Sequence, residues 1–289
     1  MKQLLCLLVL LLACSVHAAQ DRGLVWKLES ATATVVLLGS IHYADESFYP
    51  LRADIEQAFE QADTLVVEVK MDEAAGHELR KLTHREGLYR GRETIRDHIS
   101  DDTYTKLRAQ LQQLEIPYAM VERQKPGILM LTLTSVQLMK QGFMPDRGID
   151  AYFTRRAIDQ GKHVLELESL AQQFDLILNL DAGELLLQET LTSFDEIDST
   201  MQALVAGWKQ GDEHQLNAVL FENMLQLYPS YANVYEALFY KRNIGMSASI
   251  EQYLKTSGNY FVVIGAGHLV GDKSIISLLT SKGYRANRF

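Results

Sequence analysis

Apolar residues form strand-like runs near the two ends of the chain and recur at helical spacing through its middle. Leu24 to Leu28 and Ala33 to Leu38 read as a hairpin. Its second strand is apolar on both faces, as in the interior of a covered sheet. Residues 52–62 then carry Ile55, Ala58, Phe59 and Ala62 on one helical face. Thr64 to Val69 is a second buried strand, which completes a β-α-β unit with parallel strands and a right-handed crossover. Asp101-Asp102 predicts the start of a helix running to Leu114, and Pro126 opens one running to about Gln141. A helix over Gly148 to Gln160 and a short strand from His163 to Leu167 follow. From Leu170 to Lys255 the period is helical, with breaks at Asp181 to Gly183, at Gly211 and at Tyr228 to Ser230. The tail returns to a strand (Tyr260 to Ile264), a helix (Asp272 to Ser281) and a short closing segment after Gly283.

Strand signals flanking a helical middle predict the α/β class. The expected architecture is a central, mostly parallel sheet with flanking helices and a large helical insertion or lid. No linker or low-complexity tract divides the chain, so residues 19–289 are expected to form one domain. Its helical insertion would lie at about 71–145, with a mostly helical stretch at 170–256.

The N-terminus has a different character. Lys2 precedes an apolar run from Leu4 to Leu12, which is shorter than the roughly 20 residues that span a bilayer. A charged start, a short apolar run and a small-residue exit are the parts of a secretory signal, here residues 1–18. Two exits compete: Val16-His17-Ala18 fits cleavage after Ala18, whereas Leu11-Leu12-Ala13-Cys14 resembles a lipobox that would leave a lipid anchor on Cys14. The expected location is the periplasm or the exterior, with no transmembrane segment once the signal is removed. Both cysteines, Cys6 and Cys14, belong to this segment, so the remainder has no disulfide or thiol chemistry. With 28 Lys and Arg against 37 Asp and Glu, the net charge of −9 argues against nucleic acid as a partner.

The chemistry concentrates in an internal echo. Thr34 to Leu38 leads into Gly39-Ser40-Ile41-His42, and Tyr260 to Ile264 leads into Gly265-Ala266-Gly267-His268. In each, a glycine lets the chain turn off a buried strand, with positive φ if required, and a histidine follows three residues on. Histidines so placed stand over the carboxyl edge of a parallel sheet, where such folds bind ligands. Glu68, near the end of its strand, and Glu168, just after another, stand at the same edge, and a carboxylate like Glu68 among apolar neighbours needs a partner or a cation. Two imidazoles and two carboxylates suit Mn, Co, Zn or Fe as a divalent ion. Asp150 reads as a first-turn acid favoured by the helix dipole. Glu166 should face away from Glu168, and His77, His84, His98, His163 and His214 read as surface residues. There is no nucleophile elbow, phosphate loop or His-Glu-x-x-His helix.

Several short motifs, in order, resemble the TraB/GumN family, which includes the Tiki proteases. They are Gly39-Ser40-Ile41-His42, Glu68, Lys125-Pro126, Gly148-Ile149-Asp150, Leu167-Glu168-Ser169 with Gln173, Arg242-Asn243, and Gly265-Ala266-Gly267-His268-Leu269. The likeness runs from about Leu24 to Tyr284. Ser169 stands where the family more often has Thr. The family is similar in fold to erythromycin esterase and the haem-binding ChaN proteins. What the resemblance implies is a two-histidine, carboxylate-rich site under a helical lid, and in the Tiki branch a metal-dependent peptidase. On that basis His42, His268, Glu68 and Glu168 are the expected metal ligands. Glu68, Glu168 and Arg242 are the expected catalytic groups, acting on a peptide or small-molecule substrate. A metal-free esterase-like hydrolase using His42 as base, or a haem-binding or other ligand-binding protein, are the alternatives.

Overall fold

The computed structural model describes residues 22–179, 183–227 and 229–289. The apolar run with its two exits, and the breaks expected at Asp181 and Tyr228, lie outside the described residues.

Among the described residues six strands form one sheet in the order β4-β3-β5-β2-β1-β6. They are β1 Val25–Glu29, β2 Ala33–Ser40, β3 Thr64–Val67, β4 His163–Glu166, β5 Gly258–Gly265 and β6 Ala286–Arg288. β4, β3, β5 and β2 are mutually parallel, whereas β1 pairs antiparallel with both β2 and β6. The expected α/β class with a mostly parallel sheet is what the structure shows, and the closing segment after Gly283 is its edge strand β6.

Among the described residues thirteen α-helices surround the sheet. The first five are α1 Ala53–Gln61, α2 Glu73–Glu86, α3 Asp101–Gln113, α4 Pro126–Lys140 and α5 Ile149–Asp159. The next five are α6 Leu170–Leu178, α7 Gly183–Thr192, α8 Ile197–Gln210, α9 Glu213–Asn217 and α10 Asn223–Leu227. The last three are α11 Ala232–Tyr235, α12 Lys241–Lys255 and α13 Ile275–Ser281. Two π-helical turns, Ala218–Glu222 and Glu236–Tyr240, join α9 to α10 and α11 to α12. The α3 cap is Ser100, whose side chain accepts from the Thr103 N–H, and Asp101-Asp102 form the first turn. Serine outranks the following acids because its oxygen reaches that free donor.

The strand order explains where a site can form. From β2 the chain crosses β5 to reach β3, while from β5 it crosses β2 and β1 to reach β6. Neighbouring strands whose chains leave in opposite directions open a crevice at their carboxyl ends. Beneath it, Leu37, Leu38, Val66, Phe261 and Val262 are fully buried in the main core with Phe59, Phe153 and Trp208. Trp208 of α8 donates its indole N–H to the Gly39 carbonyl at 2.6 Å, which ties a helix of the chain's middle to the end of β2. A second apolar cluster gathers Leu107 and Leu111 of α3, Leu129 and Leu133 of α4, and Leu187 and Leu191 of α7. Among the described residues no helix is long and apolar enough to cross a membrane.

Candidate functional site

Register brings the two echoed motifs side by side. Ser40 pairs with Gly265 across β2 and β5, and Val67 with Val263 across β3 and β5. The ladder continues past β3 and β4: Leu167 N–H donates to the Val67 carbonyl and Glu168 N–H to that of Glu68, both at 2.9 Å. Neither Gly39 nor Gly265 adopts positive φ. The turns off both strands thus need no left-handed backbone, and Gly265 is required for space instead. A Cβ there would stand 3.1 Å from Glu68 Oε1, 3.2 Å from His42 Nε2 and 3.7 Å from His268 Cδ2. Those three side chains therefore converge on one backbone position.

Each imidazole is oriented by its Nδ1. His42 Nδ1 donates to Asp150 Oδ1 at 3.0 Å, and Ser40 Oγ donates to the same oxygen at 2.6 Å. Asp150 reaches this place because α5 begins hard against the turn after β2, with Ile149 N–H donating to the Ile41 carbonyl at 3.1 Å. Gly148 permits that approach, since a Cβ on it would run into the His42 carbonyl oxygen. His268 is buried, and its Nδ1 lies 2.6 Å from Asn243 Oδ1. Asn243 Nδ2 donates to the Lys273 carbonyl at 2.8 Å, so its oxygen must face the histidine. The His268 proton is then on Nδ1, and the Nε2 lone pair faces the site.

Carboxylates and one guanidinium complete the floor. Glu68 Oε1 accepts from the Gly265 N–H at 2.6 Å and Oε2 from Arg242 Nη2 at 2.6 Å. Arg242 also grips Glu168 through Nε, at 2.9 and 3.0 Å, and through Nη2 at 2.6 Å. Gln173 donates to both acids, at 3.2 Å to Glu68 and 3.0 Å to Glu168. His268 Nε2 stands 3.9 Å from Glu68 Oε2. Ser169 caps α6, which a threonine hydroxyl would do equally well.

Charge and burial then set the protonation states. The Asp150 charge, opposed by desolvation, pushes His42 up to about 9. Its side chain is 56 % exposed to the cleft, so solvent tempers that pull. Burial pulls His268 down to about 4, leaving it neutral near pH 7. Burial opposes the charge on Glu68, yet His268, His42, Arg242 and the Gly265 N–H together hold it at about 2. With His268 neutral, the charges acting on Glu68 near pH 7 are those of Arg242 and His42. Asp150 is also desolvated, but His42 and Ser40 keep its carboxyl below the usual range.

His42, His268, Glu68 and Arg242 thus line one cavity of about 390 Å3, with His42, His268 and Glu68 facing Gly265. Glu168 is outside that lining and joins the group through its bonds to Arg242. Glu166 points elsewhere, accepting from the Lys70 N–H at 2.7 Å, and His77, His84, His98, His163 and His214 are exposed. Asp150 is the residue whose part the sequence pattern concealed, because a first-turn acid looks the same whether or not it meets a histidine. The only local signal was the glycine two positions before it. Among the described residues no group of three or more His, Cys, Asp or Glu side chains is arranged to hold a metal ion.

A mostly parallel sheet carrying paired histidines over its carboxyl edge defines the class, an α/β protein. The profile of the TraB/PrgY/gumN family matches residues 24–288, and the chain belongs to that family. Among curated relatives, metalloprotease TIKI2 of Danio rerio is 24 % identical over 194 residues, covering 56 % of this chain and 36 % of the relative. Metalloprotease TIKI2 of Xenopus tropicalis is 25 % identical over the same length and with the same coverage. A metalloprotease TIKI homolog of Amphimedon queenslandica is 42 % identical over 53 residues, covering 18 % of this chain and 10 % of the relative. The chain therefore matches little more than a third of the TIKI2 proteins' length. No solved structure matches it.

Proposed function

We propose that the chain is a hydrolase of the peptidase kind, with its reaction centred on His42, His268 and Glu68 and a divalent ion as cofactor. One observation carries this reading. Both imidazoles have Nδ1 engaged by an outer partner, Asp150 or Asn243, and both turn toward the same ionised carboxylate. Outer partners of that kind fix the orientation of histidines that ligate metals. The names of the relatives point the same way.

The donor chemistry fits a divalent ion at the nitrogen pair, His42 Nε2 and His268 Nε2. Glu68 becomes a third ligand only by turning away from Arg242 or Gln173, and Glu168 is held more firmly still. An ion bound there supplies Lewis acidity toward water and toward a substrate carbonyl. Glu68, beside His268 Nε2, is the carboxylate placed to accept a proton. Arg242 has Nε and Nη2 on the two acids and Nη1 on the Leu238 carbonyl, so its task is to hold the carboxylates rather than the substrate. We also propose export from the cytoplasm, with the mature chain starting near Ala19.

A metal-free reading rests on the His42–Asp150 pair itself. An imidazole kept protonated by Asp150 can give its Nε2 proton to a leaving group. One experiment separates the two. Purified protein is assayed for bound metal and for cleavage of a peptide library, before and after chelation. The metal reading expects about one divalent ion per chain, activity lost on chelation and restored by Mn, Co, Zn or Fe. Activity that survives chelation but is lost in His42→Ala supports the dyad. No cleavage of any peptide, together with a Soret band on adding haem, would move the chain to the ligand-binding class.

A further inference from the structure

The cavity above the histidines has two unlike halves. Its floor is polar, formed by His42, Glu68, Gln173, Arg242 and His268, whereas Leu138, Met201, Leu204, Leu220 and Phe239 face it from four separate helical stretches. Leu220 and Phe239 each lie within a π-helical turn, Ala218–Glu222 and Glu236–Tyr240. Such turns are rare and are frequently found at functional sites. Here both present side chains to the same spot. A Cβ on Gly267 would stand 2.9 Å from Phe239 Cε1 and 3.5 Å from Leu220 Cδ1. The Phe239 ring also packs on the His268 imidazole, with centroids 5.2 Å apart. The wall is thus in contact with one of the proposed reacting residues.

We infer that this wall is the specificity subsite, and that it takes an aliphatic side chain of a peptide next to the bond held over the histidines. A group whose reacting carbonyl lies at the imidazole Nε2 atoms has to lay its adjoining side chain against Leu204, Leu220 and Phe239. That surface offers no hydrogen-bond partner, so a charged or amide side chain would be desolvated there without compensation. Met201 makes the wall adaptable, because an unbranched thioether refits to different aliphatic shapes. At about 390 Å3 the cavity is at the small end of ligand pockets and suits one or two residues of a peptide. The identity of the bond broken rests on the hydrolase reading, but binding of the side chain does not.

The test is calorimetric titration of the full chain with two blocked dipeptides, N-acetyl-Leu-Leu-amide and N-acetyl-Asp-Asp-amide. The leucine dipeptide should bind at least about ten-fold more tightly, the discrimination a small apolar pocket provides. Leu204→Ala and Leu220→Ala, both at half-buried positions, should each weaken it several-fold and leave the aspartate dipeptide unchanged. Thermal melting of each variant checks that the fold is kept. Equal affinities, no binding of either dipeptide at millimolar concentration, or a ratio untouched by both substitutions overturns the inference. Tight, wall-dependent binding of the leucine dipeptide without cleavage of any peptide sustains the subsite and removes the hydrolase reading instead.

Discussion

Asp150 and His42 are 108 positions apart, yet the state of each depends on the other. Replacing Asp150 by Asn keeps a hydrogen-bond acceptor and removes the charge that is the main cause of the raised His42 value. In protein stripped of divalent ions, Asp150→Asn should bring His42 from about 9 back toward 6.5, read from its imidazole proton shift in an NMR titration. A value that stays near 9 would mean that another group holds the proton. Arg242 has the opposite role, as the cation between two acids whose side chains are 10 % and 15 % exposed. Arg242→Ala leaves those acids without their shared cation, with Gln173 and the Gly265 N–H as neutral donors, and breaking a buried pair in this way costs about 3–5 kcal/mol. Urea unfolding should show that loss, and Arg242→Lys should recover only part of it because an ammonium cannot reproduce the fork. The sequence made His42, His268 and Glu68 legible because each follows an apolar run at a fixed offset. The bonds of Asp150 and Asn243 were not legible, since each joins residues that only the folded chain brings together.

Strands were legible because continuous apolar runs have few other uses, and helices because their apolar positions recur at a steady period. Strand order and the π turns escaped, since neither leaves a periodic trace. The strand signal at 64–69 also ran past the end of β3 at Val67, because Val69 prolongs the apolar pattern beyond Glu68. Docking of α5 is an element-scale device that can be tested. Gly148→Ala puts a methyl group into the His42 carbonyl, so either the helix start or the turn after β2 has to move. The substitution should cost about 1–3 kcal/mol as an overpacking change, and it should lengthen the Asp150–His42 bond enough to lower the His42 value. Unaltered stability with an unaltered His42 titration would show that the close approach has no consequence. The helices of the middle depend on one another in the same way. The cluster around Leu107, Leu111, Leu129 and Leu133 is completed by Leu187, Leu191 and Phe194 from beyond β4. Residues 71–141 expressed alone should therefore lack a finished core and give no cooperative thermal transition. A sharp transition would show that they are an independent unit.

Taken over the whole molecule, the two site histidines and Glu68 set how stability should vary with pH in the metal-free protein. The folded-state value of His42, about 9, lies above its ordinary 6.5. Its contribution is therefore complete below pH 6.5 and is lost as pH rises from there through 9. His268 does the reverse. Folded at about 4 against 6.5, it stays neutral while the unfolded chain takes up a proton, so stability falls as pH drops from 6.5 toward 4. Glu68, held at about 2 against 4.5, adds a further loss as pH falls from 4.5 toward 2. These three limbs predict greatest stability near pH 6.5, with a shallow decline on the alkaline side because His42 is 56 % exposed and its pairing is screened. The measurement is the urea midpoint from pH 4 to 9 at fixed salt. Asp150→Asn should flatten the alkaline limb and leave the loss due to His268 between pH 6.5 and 4 in place, because Asp150's own depressed carboxyl matters only in the more acidic range. His268→Gln should remove the loss between pH 6.5 and 4, since a glutamine takes up no proton in either state. An alkaline limb that persists in Asp150→Asn would show that the pairing of His42 does not govern stability there, and an acid limb that persists in His268→Gln would show the same for its burial.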